Sequence, residues 1–443
     1  MPHAPNTRLQ LLLQDAGWGA SQLALAIGKL AAERDLGLVC HRTTAGRWTQ
    51  GVQPRPPFPA LILECLSRRL GRRVTAREAG LTRAPAAVAD LSWEADPVRK
   101  LTHLTDAELD PRRRVLPGAG GFTHSALAPP YTPSPSGAAD RFPGRPHDPG
   151  AEQMRTMAAV FATAADRHGG QHVRAPLSAY LAHEVIPHLH PAAGGQVHAD
   201  VLSAAAQLTL LLGGMCVDAG QDGAAQHYQQ IAARLAADAD DRTTLAIALR
   251  TMAAHAHDLG HHTPAVLDLA EQAAVHARHA PIAVRSYAQV QLAVLQAHHD
   301  RHAALHSLSQ AERLHTRADD TPGPFTSYPA GALHYQRASM LAALGDHASA
   351  LKALTVSLRL RAPGERLPAA LTRARLAETH LRLGHLDQAL PHWRAFLDVY
   401  PTLNSRRASR SLTDAARQLR PYRRHHGVAG VLDSVHALAG THA

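Results

Sequence analysis

One interval recurs through the second half of the chain. Gly220, Gly260, Gly345 and Gly384 each stand five residues before an alanine, at Ala225, Ala265, Ala350 and Ala389. His299 and Ala304 keep the interval without the glycine, and successive markers lie 40, 39, 46 and 39 residues apart. A glycine supplies the turn between two helices, and a small residue lets the second helix cross the first at close approach. Such a pair cannot bury its apolar face alone, so neighbouring pairs stack into a solenoid. The competing reading is a helical domain without repeats. Residues 151–190 read as an additional pair and 406–438 as a closing cap.

Composition agrees with packed helices. The chain has 443 residues but only 6 Phe, 4 Trp and 8 Tyr. A large core must therefore come from Leu, Ala and Val, which suits helices better than a β-sandwich. Cys40, Cys65 and Cys216 are far apart with no CxxC spacing, which disfavours disulfide scaffolds and thiolate zinc sites. The most apolar stretch, Leu202 to Val217, is interrupted by Gln207 and falls short of the roughly 20 apolar residues of a membrane span. The opening MPHAPNTR leads into an amphipathic pattern and not a signal-peptide core. These features predict a soluble cytoplasmic protein with no membrane partner.

Charge and punctuation divide the chain. Net charge is +10, of which +7 falls in residues 1–83. A concentrated basic patch is the footprint of polyanion binding; the alternative is a solvated basic surface. From Pro111 to Gly150 there are nine prolines and six glycines, a density that reads as a linker, with a root-mean-square span of about 35 Å as a coil. A short helical stretch begins just before it at Asp96-Pro97. The predicted architecture is all-α: residues 1–83 a basic helical head, 84–150 a short helical stretch and Pro/Gly-rich linker, 151–443 a repeat body.

Four helical patterns fit residues 7–70. Leu9, Leu12, Leu13 and Ala16 stop at Gly17; Ser21 reads as the N-cap of a second helix carrying Leu23, Ile27 and Leu30; a third runs Thr43 to Gln50; a fourth starts at Pro57. In the third, Ala45 and Trp48 would face the core, leaving Thr43, Thr44 and Arg47 outward with Arg42 at the entry. Arginine can bond guanine bidentately and threonine can meet a thymine methyl or a phosphate. An ordinary surface helix with a solvated arginine has the same pattern. Arg55, Arg68, Arg69, Arg72 and Arg73 are expected to solvate the surface or touch phosphates.

The run Arg42-Thr43-Thr44-Ala45-Gly46-Arg47-Trp48-Thr49-Gln50-Gly51, followed by Arg55-Pro56-Pro57, resembles the Cro/C1-type (XRE) helix-turn-helix family over about residues 7–81. The resemblance implies that the helix from Thr43 enters the major groove of double-stranded DNA while Ser21-Gln22 sits on a phosphate. The connection from Lys29 to Arg42 is longer than in compact members of that family. Residues 201–404 resemble tetratricopeptide repeats with a stretched period. Head, linker and repeats together resemble actinobacterial regulators that combine these parts, and Gly169-Gly170-Gln171-His172 with Tyr180 and Asp218-Ala219-Gly220 with Tyr228 have the look of that group. The similarity implies transcriptional control. One short recognition helix rarely supplies enough specificity, so a homodimer on a two-fold site is expected, and the concave repeat surface is expected to take a protein, peptide or small ligand. A repeat adaptor whose head docks protein is the alternative.

Enzymatic readings find little support. His183-Glu184-Val185-Ile186-Pro187-His188 has one residue too many for the zinc-protease pattern; five residues turn a helix by about 500°, leaving the imidazoles roughly 140° apart. His298 and His302 form an i,i+4 pair without an evident third ligand. No Walker loop, GxSxG or dinucleotide fingerprint occurs. No catalytic residue, cofactor or metal is expected.

Overall fold

The computed structural model describes residues 5–33, 36–81, 91, 93, 95–110, 121–124, 127, 149–189, 196–318 and 325–440. The protein is all-α, with no strand among the described residues. The head comprises α1 (Thr7–Asp15), α2 (Ala20–Glu33), α3 (Arg42–Thr49) and α4 (Phe58–Leu70). Leu9, Leu12, Leu23, Ile27, Leu61, Ile62 and Leu66 form its core, with Ala45 and Trp48 closing one side. Asn6 joins the two ends of the head. Its Oδ1 accepts from the Leu9 N–H at 3.1 Å, and its Nδ2 donates to the Ala79 and Gly80 carbonyls.

Two helix starts differ from expectation. α2 begins at Ala20, so Ser21 lies inside the first turn instead of capping it. Gln22 Oε1 accepts from the Gly19 N–H at 2.9 Å, the reach-back half of a capping box, which satisfies a terminal donor without a serine cap. Pro57 immediately precedes α4 instead of opening it. α2 continues to Glu33, which shortens the connection to α3 that the sequence left open from Lys29 onward.

α5 (Pro97–Leu109) docks on the body, burying Leu101 and Leu104. Glu108 on its last turn pairs with Arg174 at 2.6 Å and accepts from Tyr228 Oη at 3.1 Å. Residues 121–124 and Leu127 belong to the stretch read as a coil linker, yet they pack as a strap. Phe122, His124 and Leu127 are all at most 5 % exposed. The composition argument weighs only proline and glycine, and two buried apolar side chains, Phe122 and Leu127, are too few to shift it. Pro149 and Gly150 open the first helix of the body, and the remainder of that linker lies outside the described residues.

The body starts with the pair α6 (Pro149–His168) and α7 (Gly170–Tyr180). The pairs α8 (Gln196–Asp218) with α9 (Asp222–Asp238) and α10 (Arg242–Asp258) with α11 (Pro264–His276) follow. Next come α12 (Ile282–Gln296) with α13 (Arg301–His315), α14 (Ala330–Ala343) with α15 (His347–Arg359), and α16 (Arg366–Arg382) with α17 (Leu386–Val399). α18 (Arg406–Leu419) and α19 (His426–Gly440) end it. Each helix packs mainly on its neighbours in sequence, so the body is an α-solenoid. The four marker glycines have φ between +71° and +83°, and Ala225, Ala304, Ala350 and Ala389 are buried against the partner helix. Ala265 is the exception. Five residues, 259–263, connect α10 to α11 where three connect each of the other glycine-marked pairs, so Val266 takes the buried place and Ala265 stays half-exposed.

The solenoid closes on itself. α6 packs on α16, the Asn404 N–H donates to the His168 carbonyl at 2.8 Å, and Asp218 gathers partners from both ends. That carboxylate accepts from the Gly170 N–H at 2.7 Å, Ser405 Oγ at 2.5 Å and Arg407 Nε at 2.9 Å. One turn on, Asp222 meets His255 Nε2 at 3.1 Å and Arg410 at 3.6 Å. Gly169 permits this approach: at φ +93°, a Cβ there would overlap the Asn404 backbone. α18 is thus a clasp, where the sequence suggests a cap. The segment Val197–Asp218 of α8 is long and apolar enough to cross a membrane, longer than the stretch singled out from sequence, but its apolar window is 72% buried within the protein.

Candidate nucleic-acid interface and interior cavity

The outward side of α3 is set by what the helix buries. Ala45 is fully buried and Trp48 is 4 % exposed, with its ring 5.2 Å from Phe58. Arg42, Thr43 and Arg47 therefore stand exposed and Thr44 is half-buried. Thr43 and Arg47 are four residues apart, on one helix face. Neither Arg42 nor Arg47 makes an ion pair among the described residues.

Three of the other head arginines make contacts within the head. Arg68 pairs with Glu33 and Glu64 at 2.6 and 2.7 Å, and Arg72 with Glu78 at 2.6 Å. Arg69 donates to the Ala16 carbonyl at 2.8 Å. Ser21, Lys29 and Arg42 border one groove of about 640 Å³ between α2 and the approach to α3. Gln22 is exposed at the start of α2 with its carbonyl held by the Gly19 cap. The structure thus brings Ser21 and Arg42 to a common groove, and sets Thr43 and Arg47 on the adjoining helix.

The strap holds the head against the body. Gln226 grips Thr123 with both ends of its amide, accepting from the N–H at 2.8 Å and donating to the carbonyl at 2.7 Å. The His124 N–H donates to Glu64 Oε1 in α4 at 2.7 Å, and its Nε2 meets Thr263 Oγ1 at 3.2 Å. Phe122 stacks on His261 with centroids 5.1 Å apart. Burial, with the Arg68 guanidinium and His124 beside it, pushes His261 down to about 4; burial also lowers His124, against the pull of Glu64.

This junction should weaken in acid. A released His261 titrates near 6.5, so between pH 6.5 and 4 the undocked form binds more protons and stability rises with pH. Docking is retained above about pH 6.5 and is lost progressively as pH falls toward the His261 value. Protection factors for residues 121–124 and 127, taken as hydrogen-exchange rates relative to the intrinsic rate at each pH, should therefore fall on acidification from pH 7 to 5. His261→Phe keeps the stacking and should flatten the dependence; an unchanged profile would assign it to other groups.

The first helices of successive pairs face inward and line a half-open cavity of about 430 Å³, within the size range of small-ligand pockets. Leu210, Ile247, Val284 and Phe325 supply apolar wall. Asp166, Arg361, Glu365 and Arg407 supply charge on one side, Arg361 and Glu365 pairing at 2.7 Å. Burial and the nearby Glu365 raise the Asp166 carboxyl above its usual range. Tyr328 lines the cavity and its buried Oη has no hydrogen-bond partner among the described residues. Tyr287 also reaches this wall, with the Arg250 guanidinium 3.8 Å over its ring. Sequence periodicity identifies the inward helices but cannot show that the ends meet, so the cavity was not readable from it.

A family model described as the SP15 N-terminal domain matches residues 9–82. The match covers the four-helix head and well under half of the chain. The family is described by position in a longer protein and not by an activity. No curated protein matches the chain. His183, Glu184 and His188 stand exposed on a turn that passes from π to 3-10 geometry, and they form no candidate metal cluster with other described residues.

Proposed function

We propose that this chain is a sequence-specific DNA-binding regulator of transcription. In this reading α3 enters the major groove of double-stranded DNA. Arg47 and Thr43 meet base edges, Arg42 and Thr44 flank them, and Ser21 with Gln22 contacts a phosphate. The observation that carries the reading is the pairing of a buried Trp48 with an exposed, internally uncommitted Arg47 on one short helix. The concentration of positive charge in the head supports it, as does the internal use of the neighbouring arginines, which leaves the cations around α3 outward. The body resembles a tetratricopeptide-repeat platform, and its cavity suits a small effector. One short helix reads too few bases for a genomic address, so a cytoplasmic homodimer on a two-fold site completes the proposal.

Selection of random duplexes by the full-length protein tests this. The expected result is an enriched motif of two inverted half-sites, spaced by one helical turn, about 34 Å, or a multiple of it. A single half-site would remove the dimer from the proposal. Retention of duplexes without any enriched sequence would overturn it in favour of a protein-docking adaptor.

A further inference from the structure

We infer that His257, His262 and His298 form a binding site for a divalent transition-metal ion of the zinc type. The three residues come from the last turn of α10, the α10–α11 turn and the exit of α12. One ring nitrogen from each lies within 4.8 Å of the others. His257 Nε2 and His298 Nε2 are 3.1 Å apart. Two nitrogens sharing a tetrahedral zinc at about 2.05 Å stand about 3.3 Å from each other, so this pair is already at ligand spacing. The rings of His262 and His298 stack with centroids 3.7 Å apart.

The groups around the cluster orient it as outer-shell groups orient metal ligands. Asp258 Oδ1 lies 3.4 Å from His257 Nδ1. A carboxylate there keeps the proton on Nδ1 and leaves the Nε2 lone pair facing the other two rings. Three nitrogen donors at the surface leave a fourth position for water or an incoming group, as in open zinc sites.

Position gives the site a consequence. Turn 259–263, whose two extra residues break the repeat register, carries His262 between His261, which stacks on Phe122, and Thr263, which meets His124. An ion held by His262 therefore fixes the same turn that receives the strap from the head. This inference concerns binding chemistry and stands whether or not the head reads DNA.

Zinc titration of the full chain, in competition with a chromophoric chelator, tests it. Wild type is compared with a His257→Ala/His262→Ala/His298→Ala variant, so that uptake by the many other histidines is subtracted. The expected result is one additional equivalent in wild type. His298→Ala, at an exposed position, should weaken that equivalent by more than the 10–100-fold typical of an outer-shell change, and His298→Cys should restore binding. Asp258→Asn, which alters a positioning residue, should weaken binding within that 10–100-fold range. Cobalt in the wild type should give the intense visible ligand-field bands of a four-coordinate ion, absent from the triple variant. Equal zinc uptake by wild type and the correctly folded triple variant overturns the inference, as does a weak six-coordinate cobalt spectrum.

Discussion

Arg47→Ala should cost about 1–3 kcal/mol at the selected duplex, roughly a tenfold to hundredfold loss of affinity, while binding to unrelated DNA barely changes. The asymmetry follows from the proposed role. A guanidinium on a guanine edge contributes only where that guanine is present, whereas phosphate contacts contribute everywhere. Arg47→Lys should not recover the loss, because an ammonium cannot form the planar two-point contact. The substitution should leave thermal stability nearly unchanged, since Arg47 makes no ion pair among the described residues and the fold depends instead on its neighbour Trp48, buried against Phe58. Fluorescence anisotropy at two salt concentrations separates the cases. An equal loss on all sequences, with a shallower salt dependence, would move Arg47 from base to phosphate.

Asp218→Ala should have the largest effect on stability and acts far from α3. The carboxylate is 2 % exposed and accepts three hydrogen bonds, one of them from an arginine. Its removal strands the buried Gly170 N–H and Ser405 hydroxyl and uncouples Arg407. We expect a loss of about 3 kcal/mol, allowing for the partial exposure of the Arg407 side chain. Because the lost bonds join α8 to α7 and α18, the solenoid should open. X-ray scattering should report a larger radius of gyration, and the melting temperature should fall by several degrees. Asp218→Asn keeps an acceptor and should fall between. An unchanged radius together with an unchanged melting temperature would show that the α6–α16 packing closes the body unaided.

Much of the fold was legible because helices declare themselves locally. The Leu9–Leu12–Leu13 stripe, the four marker glycines and the Ala225, Ala350 and Ala389 positions each report on a neighbour within a few dozen residues. Trp48 facing inward and Arg47 outward follow from the helical period alone. Long-range geometry was not legible. Nothing near Asp218 in sequence announces Ser405 or Arg407. Nothing near His298 announces His257, and the i,i+4 pair with His302 pointed to the wrong partner. Gln226 gripping Thr123 lies across 103 residues. The strap was missed because a few apolar side chains decide its burial within a stretch whose average composition argues for coil. Ala265 was displaced by two extra turn residues, which a fixed interval cannot anticipate.

Closure of the solenoid also limits how such a chain can change. An open stack can gain or lose a unit at either extremity, and its outermost units unravel first. Here the outermost units are each other's neighbours, so an inserted or deleted pair would carry Ser405 and Arg407 a whole step past Asp218. Unit number is therefore locked. Variation in length is confined to the turns, and unfolding has no free extremity from which to begin.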